Sequence, residues 1–135
     1  MTLQLFYEFI DQLEDLIYQQ SNQLETERLD RKTDRTQKEY LRGMSEGLIS
    51  SLGVIEKVRR QTNLNTKELS DFIEDVERFI SKRSSKLPST STLQESDTLK
   101  KEYLQGFKEG LDRSLQLINH LKLTLHFSKE LIQTH

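Results

Sequence analysis

Apolar residues return along the chain at alternating steps of three and four, the period of helices that each bury one stripe. In the first stretch these are Leu3, Phe6, Ile10, Leu13, Ile17 and Leu24, which predicts a helix over 2–28. Leu41, Met44, Leu48, Ile55 and Val58 predict a second over 35–62, with Thr36 and Glu39 spaced as a capping box at its start. A polar break, QTNLNT, precedes Leu69, Phe72, Ile73, Val76, Phe79 and Ile80. Asn65 is placed to cap this third helix with Glu68 three residues on, and its predicted span is 66–85. The Ser- and Thr-rich segment from Ser84 to Ser96 holds the sole proline and reads as a mobile surface loop. Beyond it, Leu104, Phe107, Leu111, Ile118, Leu121 and Leu125 carry a last helix from about Asp97 to about Ile132, the longest of the set.

The pattern is written twice. KEYLRGMSEGLISSLGVI, from Lys38 to Ile55, returns 63 positions later as KEYLQGFKEGLDRSLQLI, from Lys101 to Ile118. The same offset pairs Phe9 with Phe72, Ile10 with Ile73, Glu14 with Glu77 and Ile17 with Ile80, so the echo extends over a helical hairpin. Self-similarity at a fixed period is the mark of a stacked supersecondary unit. The expected architecture is all-α: one domain over 1–135, a four-helix bundle of two tandem hairpins, with repeats at 1–63 and 64–126 and a helical extension over 127–135.

Within the echo, Tyr40, Gly43 and Gly47 are answered by Tyr103, Gly106 and Gly110. An interior helical glycine costs about 1 kcal/mol against alanine, so these four together forfeit about 4 kcal/mol. On a projection of 100° per residue, Gly43 and Gly47 lie on the flank of the Leu41/Met44/Leu48 stripe, on the side of Tyr40. That placement predicts a close crossing of the second and fourth helices about an approximate twofold axis, with a ligand or partner groove as the alternative use.

Composition agrees with solvated amphipathic helices: 33% hydrophobic, 31% charged, one proline and five glycines. No apolar run is long enough for a membrane span, the start of the chain lacks the basic and greasy regions of a secretion signal, and there is no cysteine for disulfides or thiolate chemistry. A cytoplasmic protein is expected. The net charge of −2 hides a segregation of sign. Residues 1–27 carry six carboxylates and neither Lys nor Arg, whereas residues 28–60 carry nine basic side chains against five acidic ones.

Candidate chemistry is sparse. Glu8, Asp11 and Glu14 are answered by Asp71, Glu74 and Glu77, carboxylates of the kind metal-dependent all-α nucleotide hydrolases use. Steps of three drift by about 60° around a helix, however, which spreads these groups along a border. His120, His126 and His135 have no ligand spacing. Arg28, Arg31, Lys32, Arg35, Lys38 and Arg42 cluster at the first turn and could meet phosphates, but Asp30, Asp34 and Glu39 are interleaved and no aromatic platform accompanies them. The far end breaks the echo: Leu125, Phe127, Leu131 and Ile132 continue an apolar pattern where the first copy has its linker. These residues either fold back on Leu3, Leu5 and Phe6 or meet another chain. The expected function is a non-catalytic helical interaction or regulatory module whose partner is another protein or a second copy of itself. A small nucleic-acid-associated regulator using Arg31 and Arg35 is the first alternative. A metal-dependent hydrolase using Glu8, Asp11, Asp71 or Glu74 is the second. No catalytic residue, cofactor, metal, small-molecule substrate or membrane contact is expected.

Overall fold

The chain folds as a bundle of four helices: α1 (Thr2–Arg28), α2 (Arg35–Gln61), α3 (Leu69–Ser85) and α4 (Thr98–Gln133). The structure, a computed structural model, describes residues 2–63, 66–88 and 97–133, with side chains at 3–63, 66–88 and 97–124. No strand occurs among the described residues. The expected Asn65 cap and most of the expected loop over 84–96 lie outside them.

The stripes read from the sequence form one core. Phe6, Phe9, Ile10, Leu13 and Ile17 of α1 meet Leu41, Met44, Leu48, Ile55 and Val58 of α2, and Phe72, Ile73, Val76 and Ile80 of α3 join Leu111, Ile118 and Leu121 of α4. Phe6 and Phe72 bring α1 and α3 together edge to face, with ring centroids 5.3 Å apart. Such pairs add about 0.5–1.5 kcal/mol beyond the area they bury. The most extensive helix pair is α2 with α4, followed by α1 with α2.

Several local expectations are corrected. The N-cap of α2 is Asp34, not Thr36: its extended backbone (φ −74°, ψ 169°) lets the carboxylate accept the Gln37 amide at 2.7 Å. An ionised acceptor at this end also favours the positive pole of the helix. Helix α3 starts at Leu69, with Glu68 at the cap position making no side-chain capping bond. Leu3 is on the surface, and Leu104 is half-buried outside the core cluster although its counterpart Leu41 is buried. The difference follows from helix length. Helix α1 reaches Arg28 and buries Leu24, whereas α3 ends at Ser85, so Leu87, at the position matching Leu24, only partly covers that end.

A polar contact between two helices sits inside the bundle. The Ser21 and Ser45 hydroxyls are buried and 2.6 Å apart, joining α1 to α2. Most ion pairs, such as Arg28–Glu25 at 2.7 Å and Arg60–Glu56 at 3.1 Å, link neighbouring turns on the surface and contribute a few tenths of a kcal/mol each. Lys122–Glu77, at 3.1 Å, ties α4 to α3.

Candidate functional site

The residues singled out by the echo converge on the contact between α2 and α4. These helices run parallel. Gly43 lies beside Tyr103 and Phe107, and one turn later Gly47 lies beside Phe107 and Gly110. A Cβ added to Gly43 would stand 2.1 Å from the Tyr103 carbonyl oxygen, and one on Gly106 would stand 2.0 Å from that of Tyr40. An added Cβ would in the same way collide with the Phe107 carbonyl oxygen at Gly47 and with the Met44 carbonyl oxygen at Gly110. Each helix thus presses a glycine against a carbonyl of the other, and the roles exchange at the offset of 63 residues.

The added Cβ occupies the direction of a glycine hydrogen, so each contact aims an α-hydrogen at a carbonyl oxygen. Weak hydrogen bonds of this type contribute about 0.5–1 kcal/mol each, and close backbone approach adds dispersion along both helices. The sum is of the same order as the propensity cost of the four glycines. Gly53, by contrast, has nothing within 4 Å of its added Cβ and belongs to no seam.

Two serines continue the small-residue edge. Ser51 and Ser114 are buried, and their hydroxyls donate back to the Gly47 carbonyl at 3.3 Å and the Gly110 carbonyl at 3.1 Å. Sequence reasoning missed both, though their spacing of four from each second glycine was visible. A serine whose hydroxyl bonds to its own helix behaves as a small residue that needs no outside partner.

The tyrosines bracket the seam with polar groups. The Arg42 guanidinium lies 4.4 Å from the Tyr103 ring centroid and pairs with Glu39 at 2.8 Å and Glu46 at 3.3 Å. The Tyr103 hydroxyl donates to the Glu46 carboxylate. Burial and then that bond push the Tyr103 phenol up to about 12. Burial, and the nearby Glu109 carboxylate, also raise the Tyr40 phenol above its ordinary range. The Arg42 hydrogen bond holds Glu39 below the usual carboxylate range. Every charge here is spent on a neighbour, which makes the cluster a clasp over the seam.

The other predicted groups stay apart. Glu8, Asp11, Asp71 and Glu74 are exposed, and among the described residues no group of three or more His, Cys, Asp or Glu side chains could hold a metal ion. Glu14 is held above the usual carboxylate range by partial burial, and next by Asp11. At the first turn Arg31 and Arg35 are exposed, while Asp30 accepts the Lys32 amide at 3.0 Å and Asp34 caps α2. His120 is exposed on α4. The backbone of Leu125, Phe127, Leu131 and Ile132 is helical, and their side chains lie outside the described set, as do His126 and His135. No described helix is long and apolar enough to cross a membrane. No family model, no curated protein and no solved structure matches the chain.

Proposed function

We propose that the chain is a non-catalytic helical module that works by binding another protein, with the end of the bundle around the start of α1 and the last turns of α4 as its docking surface. The observation that carries this reading is an apolar set left exposed at that end. Leu3 is 37% exposed, Leu5 43% and Leu123 65%. Because α1 is antiparallel to α2 and α2 is parallel to α4, the start of α1 and the last turns of α4 share one end. Helix α4 continues to Gln133, beyond Thr124, the position matching the last residue of α2. That stretch contains Leu125, Phe127, Leu131 and Ile132. Apolar side chains left exposed at one end of a bundle are the kind of surface a partner covers. The glycine and tyrosine motifs support the same reading, since their chemistry is absorbed in packing the bundle.

Light scattering of the purified chain, with capture of partners from its source lysate, tests the proposal. The expected result is a dimer or a specific partner, lost on Leu5→Asp combined with Leu123→Asp while the thermal midpoint stays within a few degrees. A monomer that retains no partner overturns it.

A further inference from the structure

Between the second half of α2 and the end of α3 runs an open groove of about 340 Å³, lined by Val54, Lys57, Phe79, Lys82, Arg83, Lys86 and Leu87. Its floor is apolar, its rim carries four cations, and among the described residues no carboxylate lines it. Among the described residues Lys57, Lys82 and Lys86 meet no carboxylate in an ion pair, and Arg83 donates to the Ser50 carbonyl at 3.1 Å.

The offset of 63 residues supplies an internal control. The positions matching the floor, Leu117, Leu16 and Leu24, remain apolar, whereas those matching Lys57, Lys82, Arg83 and Lys86 are His120, Gln19, Gln20 and Gln23. Packing at this place in a hairpin pair therefore needs the floor and not the cations. Attraction to the negative end of α3 accounts for a few tenths of a kcal/mol at Lys82 and Arg83, but Lys57 stands on a different helix. Four like charges around one groove repel each other, and an anionic occupant removes that repulsion.

The form of the groove restricts the occupant. The charged atoms of Lys57 and Arg78 each stand 5.6 Å from the Phe79 ring centroid, so a nucleobase stacking on that ring would compete with cations already placed beside it. The floor of Val54, Phe79 and Leu87 suits an aliphatic side chain flanked by carboxylates.

We infer that this groove is a docking site for an acidic peptide segment of another protein, one that sets a Leu-like residue on the Val54/Phe79/Leu87 floor and carboxylates against Lys57, Lys82 and Lys86. The inference shares the reading of the chain as a protein-binding module but uses a surface separate from the apolar end. Fluorescence anisotropy of the full chain with a short labelled peptide, a leucine flanked by glutamates, tests it. The variant Lys82→Gln with Lys86→Gln, which installs the side chains of the matching half, weakens binding tenfold or more. Lys100→Gln with Lys108→Gln, the same charge change elsewhere, weakens it less than twofold, and replacing the peptide's leucine by serine weakens it severalfold. Absence of peptide binding, equal loss in both variants, or displacement of the peptide by inorganic phosphate at matched concentration overturns the proposal. So does self-association abolished by the Lys82/Lys86 variant, which assigns the groove to a second copy. Loss in the groove variant with unchanged partner capture at the apolar end separates this proposal from the preceding one.

Discussion

Gly47 and Gly110 face each other across the seam: a Cβ on Gly110 would stand 2.9 Å from the Gly47 Cα, and one on Gly47 would stand 3.1 Å from the Gly110 Cα. Helix backbones are here separated by hydrogen atoms alone. Replacing Gly110 by Ala forces the helices apart along the whole seam and is expected to cost about 2–4 kcal/mol, as overpacking and lost contacts add. Gly53→Ala, with nothing within 4 Å, should instead stabilise by about 0.5–1 kcal/mol. Urea denaturation of both variants checks the contrast; equal changes would refute the close approach.

The buried Ser21–Ser45 contact, at 2.6 Å, yields a coupling prediction. Ser45→Ala leaves the Ser21 hydroxyl without its partner and should cost about 1–3 kcal/mol, while Ser21→Ala together with Ser45→Ala should cost less than the two single changes added. A double-mutant cycle measures the difference, which additive costs would reduce to zero.

Tyr103 makes stability sensitive to alkali. Its folded value of about 12 lies above the ordinary 10, so the folded chain holds this proton more tightly than the unfolded one. The contribution is fully present below about pH 10 and is lost as pH rises through about 12. Tyr103→Phe should flatten that decline, read as the denaturation midpoint across the window.

Phe72 is fully buried and closes the contact of α1 with α3 through Phe6. Phe72→Ala should cost about 3–5 kcal/mol. Calorimetry should register a fall in the thermal midpoint larger than that of any exposed substitution.

Four helices and their buried faces were legible because Phe6, Leu48, Phe72 and Leu111 recur at helical steps and burial follows those steps. The glycine flank was legible for the same reason, as angle around a helix follows from position. Other features depend on what lies across from a residue. Thr36 and Asp34 both offer an acceptor near the start of α2, and the extended backbone at Asp34 decides between them. Ser21 and Ser45 carry no sequence signal of burial, and their contact exists only once α1 and α2 are laid together. The cations of the groove stand on two helices, so Lys57 and Lys82 share a surface only once α3 is docked on α2.

The reciprocal seam also bears on how the molecule responds to dilution. Contacts that exchange roles, Gly43 on Tyr103 and Gly106 on Tyr40, are those of a self-complementary interface between two separate subunits. Here both surfaces belong to one polypeptide, so the segment joining α2 to α4 replaces a bimolecular encounter by a tethered one at fixed effective concentration. Closure of this seam is first order, and its equilibrium is the same at nanomolar and millimolar protein.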